Sequence, residues 1–106
     1  MTTYVITRHA AASEFLARKG FSGARVIAHA ADDFWVGLRP GDCVVGTLPM
    51  HLAQRACEAT RNPFGFLSVN PPPDKRGAEL TLAEMEAFGA EVSWFNVEAA
   101  NPPKSE

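Results

Sequence analysis

The sequence predicts a single α/β domain in which a mainly parallel five-stranded sheet carries three flanking helices. Three observations point to it. Short β-rich runs alternate with stretches of helical spacing along the chain, which is the pattern of successive β-α-β units. The strand candidates hold adjacent apolar residues, Val5-Ile6, Val26-Ile27 and Val44-Val45, as strands covered on both faces do. The chain has 106 residues, a length that fits one hydrophobic core and leaves no room for a second domain.

The first strand runs from Thr3 to Thr7 through Tyr4, Val5 and Ile6. A helix follows from Ala11 to Lys19, with Ala12, Phe15 and Leu16 on one stripe and Gly20 placed to end it. The second strand covers Ala24 to Ala28. The stretch from Ala30 to Gly41 reads as irregular; it holds Phe34, Trp35 and the turn signal Arg39-Pro40-Gly41. A third strand spans Asp42 to Thr47. Pro49 suits the opening of the next helix, where an amide would have no partner anyway, and Leu52, Ala53, Ala56, Cys57 and Thr60 recur at helical spacing.

Pro63 to Val69 reads as the fourth strand, and the loop from Asn70 to Gly77 opens on three consecutive prolines. Thr81-Leu82-Ala83-Glu84 is a capping box, so a helix starts there, reaches about Phe88 and is closed by Gly89. Glu91 to Val97 forms the fifth strand. Residues 1–98 are thus expected to form the domain and 99–106 a flexible C-terminal tail. Taken in order, these elements describe an open, Rossmann-like fold.

Hydrophobic residues make up 46% and charged residues 21% of the chain, a globular balance rather than a disordered one. A net charge of −2 supplies no broad basic face for binding a nucleic-acid duplex by counterion release. The cations are skewed, with seven Arg to three Lys. Arg presents a planar fork that matches phosphate, so a small folded anion such as a nucleotide fits this balance better than a polymer. Cys43 and Cys57 stand apart in apolar contexts without a Cys-x-x-Cys spacing, which reads as two buried thiols in a reducing compartment. No leader-like or membrane-length apolar run is visible, and a cytoplasmic protein without membrane contact is expected.

Open α/β sheets hold ligands beyond the carboxyl ends of their strands, a rule that selects loops. The loop after the first strand brings Thr7, Arg8 and His9, and the second strand is followed by His29. Gly46, Thr47, Leu48 and Pro49 follow the third strand, and Ser68 and Asn70 the fourth. Arg8 can clamp a phosphate with both arms of its fork, and His9 can exchange a proton near neutral pH. Thr47 precedes a helix whose amides and dipole favour an anion, and Arg76 sits in a loop able to fold over the same edge.

Each of these has a plainer alternative. Thr7-Arg8-His9 can be a solvated turn, His29 a strand cap, His51 an exposed first-turn residue and Asp32-Asp33 a solvated turn. Trp35 and Trp94 suit a core or a dimer contact. The glycine-rich fingerprints of dinucleotide and nucleoside triphosphate binding are missing. So are the His-Glu-x-x-His metal motif and the Gly-x-Ser-x-Gly elbow. No cofactor and no metal are expected.

Three segments go further together than apart: Tyr-Val-Ile-Thr-Arg-His at 4–9, Gly-Asp-Cys-Val-Val-Gly-Thr-Leu-Pro at 41–49, and the run from Arg76-Gly77-Ala78-Glu79-Leu80 to Ala90. With them the chain resembles the CRISPR-associated family called Csx sixteen from about Tyr4 to Val97; the triple-proline loop and the tail lie outside the likeness. The resemblance implies a type III CRISPR accessory of CARF-related fold, acting as a homodimer. It implies a ring nuclease that binds cyclic oligoadenylate, foremost cyclic tetra-adenylate, and cleaves it to short linear products. On that footing Arg8 is the phosphate clamp and His9 the general acid or base, or a positioning donor. Thr7, Gly46, Thr47 and Arg76 would hold the ring, with His29 a second candidate for proton transfer. Two other readings stay open: a sponge or sensor that binds the messenger without hydrolysis, and a protein-interaction module using Phe34, Trp35 and Trp94.

Overall fold

Adjacent apolar residues at the strand centres point to opposite sides of one sheet, and this builds two cores, one on each face. The computed structural model describes residues 1–104. Its strands are β1 (Thr3–Ile6), β2 (Arg25–Ile27), β3 (Cys43–Gly46), β4 (Phe64–Ser68) and β5 (Glu91–Phe95), in the spatial order β2-β1-β3-β4-β5. β1 lies between β2 and β3 and is parallel to both, β3 is parallel to β4, and β5 closes the edge antiparallel to β4. The register sets Val5 beside Val26 and Val45, and Ile6 beside Gly46.

Val5, Val45 and Leu67 face the first core, where they meet Ala12, Phe15 and Leu16 of α1 (Ala10–Leu16) and Met85 of α4 (Leu82–Ala87). On the other face Ile6, Val44 and Phe64 meet Trp35 of α2 (Asp32–Gly37) with Ala53 and Ala56 of α3 (Met50–Thr60). Burying each large apolar side chain contributes about 1.5–3 kcal/mol, so both layers are strongly specified. α4 begins on the capping box: the Thr81 side chain accepts from the Glu84 amide while the Glu84 carboxylate accepts from the Thr81 amide. The Thr81 and Lys75 contacts hold the Glu84 carboxyl below its usual range.

The domain is α/β with a five-stranded, mostly parallel sheet, as the sequence predicts, but the described residues form four α-helices rather than three. The added one is α2, inside the stretch read as irregular. Its six residues are too few to show a helical period, and only Trp35 among them is buried. Asp32 and Asp33 occupy its first turn, where negative charge favours a helix. The Trp35 indole donates to the Ala30 carbonyl at 3.2 Å, and the Arg55 guanidinium lies 4.7 Å from the centre of the Trp35 ring. The first helix also departs from expectation. It is α-helical only to Leu16, then widens into a π-type turn over Ala17–Phe21 in which Gly20 takes a φ of 108°.

Three polar and sulfur positions refine the picture. Asp42 is buried, with Oδ1 accepting from the Thr2 amide at 2.9 Å and Oδ2 from the Arg39 amide at 3.0 Å. Cys43 and Cys57 are both free thiols, but half-buried rather than fully buried; burial pushes the Cys43 thiol up. No helix among the described residues is long and apolar enough to cross a membrane. Residues 99–104 carry no regular element, and residues 105 and 106 of the expected tail lie outside the described residues.

Candidate functional site

In a sheet ordered 2-1-3-4-5, chain connections leave β1 and β3 in opposite directions, and a crevice opens between their carboxyl ends. The protein has a cavity of about 560 Å³ there. Thr7, Arg8 and His9 line it from the end of β1, His29 from beyond β2, and Thr47 and Leu48 from the end of β3. Thr7, Arg8, His9, His29 and Thr47, polar residues named from the strand-end rule, thus converge on one space with Leu48 although they come from three separate parts of the chain. Pro49 and Leu52 also border it, so the first turn of α3 faces the cavity and its dipole favours a bound anion.

Backbone geometry fixes this edge. Gly46 is buried at the end of β3 with a φ of 143°, and a Cβ there would overlap the Ile6 carbonyl. Only glycine lets β1 and β3 approach so closely just before they splay apart. The Thr47 amide donates to the Ile6 carbonyl at 3.3 Å, which carries the pairing one residue past the strand. Gly46 therefore shapes the cavity without lining it. Arg76 is exposed, after a short 3-10 turn at Pro73–Lys75, and is not among the lining residues.

His9 is the residue with the most defined surroundings. It stands at the start of α1, where its amide donates to the Thr7 hydroxyl at 3.1 Å. Its Nδ1 lies 3.1 Å from Oε1 of Glu79, in the loop before α4. A carboxylate facing Nδ1 favours the tautomer with the proton there and leaves Nε2 to act toward a ligand. Glu79 was not singled out from the sequence. Its signal was present in the Arg-Gly-x-Glu-Leu segment, but nothing local says that this loop closes on a residue seventy positions earlier.

The cavity combines one guanidinium, two imidazoles and two hydroxyls, and no carboxylate among the described residues lines it. That set suits a phosphate ester: a cation for its charge, hydroxyls for its oxygens, and imidazoles to move protons. Among the described residues no three His, Cys, Asp or Glu side chains gather as a set that could hold a metal ion. Residues 4–98 match the family model described as "Putative CRISPR-associated protein (Cas_VVA1548)". The chain belongs to this family. Both the Thr7-Arg8-His9 edge and the Glu79 loop of this CRISPR-associated domain lie inside the matched region. No curated protein and no solved structure matches it.

Proposed function

We propose that this CRISPR-associated domain is a ring nuclease that binds cyclic oligoadenylate, foremost cyclic tetra-adenylate, and opens it to short linear oligoadenylates, so ending type III CRISPR signalling. The observation that carries the reading is the convergence of Thr7, Arg8, His9, His29 and Thr47 on one cavity at the β1/β3 crevice. The segments that resemble the Csx sixteen family supply Thr7, Arg8, His9 and Thr47 of this set; His29 lies outside them. The strand order and the crevice position are those a Rossmann-like, CARF-related sensor domain would use.

The chemistry asks little of the protein. The ribose 2′-hydroxyl attacks the neighbouring phosphorus, the bond from phosphorus to the 5′ oxygen breaks, and a 2′,3′-cyclic phosphate and a 5′-hydroxyl result. One proton leaves the 2′ oxygen and one reaches the 5′ oxygen, so an acid and a base suffice. Arg8 clamps the phosphate and offsets the charge that builds on it. His9, held by Glu79, and His29 are the groups able to take and give those protons. Thr7 and Thr47 orient the ester for in-line attack. A ring with rotational symmetry suits a homodimer in which each subunit offers the same edge, and Arg76 would reach the ring from the loop before α4.

The test is product analysis. The protein is incubated with excess cyclic tetra-adenylate and cyclic hexa-adenylate in EDTA, and products are followed by chromatography and mass. Linear products ending in 2′,3′-cyclic phosphate, formed over many turnovers, support the reading. Stoichiometric binding without cleavage replaces it with a sponge or sensor, and neither binding nor cleavage rejects it.

A further inference from the structure

The crevice has a second chamber. On the opposite face of the sheet lies a cavity of about 170 Å³ that shares Thr7, His9 and Thr47 with the first. Its walls include Leu67 and Met85, both buried in the first core. The loop before α4 covers it through Ala78, Glu79 and Leu80. We propose that this chamber receives an adenine base of the bound ring, and that Glu79 selects adenine by accepting its exocyclic amine. The inference rests on the ring-nuclease reading and assigns the part of the substrate which that reading leaves unplaced.

Size and charge argue for it together. Pockets for drug-sized ligands span about 300–1,000 Å³, so this chamber is suited to one heterocycle rather than a whole nucleotide. Among the described residues that line it, none is Lys or Arg, and Glu79 is the charged one apart from His9. A phosphate would meet a carboxylate there with only the His9 imidazole beside it, whereas a neutral base meets apolar walls. The first cavity has the opposite character, with Arg8 and two histidines and, among the described residues, no acid. The ridge of Thr7, His9 and Thr47 thus divides a nucleotide, with phosphate and ribose on one side and base on the other. His9 engages Oε1 of Glu79, which leaves Oε2 to accept from an amine at the mouth. A 6-oxo base would instead set a carbonyl oxygen against that carboxylate, and sites built around one hydrogen bond reject analogues lacking it.

The test compares binding of two 2′-deoxy rings, cyclic tetra-deoxyadenylate and cyclic tetra-deoxyinosinate, which lack the nucleophile and are not cut. Wild type is expected to favour the adenine ring about two- to ten-fold, the scale of one hydrogen bond to a carboxylate open to water at the mouth. Glu79→Gln, whose amide can donate to a 6-oxo group, narrows that gap. Ala78→Phe, at an exposed loop position that lines the chamber, weakens both rings, with an unchanged melting temperature showing that the fold is intact. Equal affinity of wild type for both rings, with Glu79→Gln unchanged, overturns the base assignment and leaves the ring-nuclease reading standing. Failure of wild type to bind these rings or the ribose ring overturns both.

Discussion

His9 and Glu79 meet at 3.1 Å, both side chains largely exposed at 60% and 71%, and their contact ties the end of β1 to the loop ahead of α4. A carboxylate–imidazole contact so open to water contributes at most about 1 kcal/mol. Its consequence lies in orientation, since it holds the imidazole at the mouth of the candidate cavity. Glu79→Ala should lower kcat on cyclic tetra-adenylate by no more than about five-fold at low salt. Assays from low to high ionic strength check this, because screening should bring wild type toward the variant.

Removing Arg8 or His9 is expected to cost far more. Arg8→Ala takes away the guanidinium in the cavity and should lower kcat/KM by about 100-fold or more. Arg8→Lys restores the charge without the fork and should recover it only in part. His9→Ala should lower kcat by about 100- to 10,000-fold if Nε2 moves a proton. Steady-state kinetics on the three variants measures this, and near-wild-type rates in all of them would remove these residues from the site.

Gly46 should tolerate no side chain. Gly46→Ala drives a Cβ into the Ile6 carbonyl at a φ of 143°, so β1 and β3 must part where the cavity begins. The expected loss is about 2 kcal/mol or more, seen as a lower midpoint in urea. Binding of cyclic tetra-adenylate should fall with it even where the variant stays folded.

Asp42 makes stability depend on acid. Burial alone would push its carboxyl up, but the Thr2 and Arg39 amides outweigh that and hold it below the ordinary value. A carboxyl with a depressed folded-state pKa stabilises the fold above its unfolded pKa of about 3.9 and loses that contribution as pH falls through the folded value. Asp42→Asn keeps one good acceptor for two amides and should cost about 1–2 kcal/mol at pH 7. Thermal melts from pH 7 to pH 2 should show the gap between wild type and variant closing below about pH 4.

Much of this was legible in the sequence because the signals are local. Val5-Ile6 and Val44-Val45 announce strands buried on both faces, and Thr81 with Glu84 announces the start of α4. The strand-end rule then named Thr7, Arg8, His9, His29 and Thr47, which the fold brings together. What escaped is set by tertiary contact. α2 is held by Trp35 against the sheet and by Arg55 across its ring, neither of which a six-residue window displays. Glu79 belongs to the crevice only because its loop folds back on His9. Arg76, three residues earlier, shares that loop and yet stays outside the cavity lining.

The central claim is that this edge breaks a phosphodiester of a cyclic oligoadenylate, and turnover measures it most directly. Protein at low concentration is mixed with a large excess of cyclic tetra-adenylate in EDTA, and linear product per protein molecule is counted over time. The account predicts many linear products per wild-type molecule and almost none from Arg8→Ala at the same protein concentration. Intact ring after prolonged incubation with wild type, or equal turnover by wild type and Arg8→Ala, would contradict it.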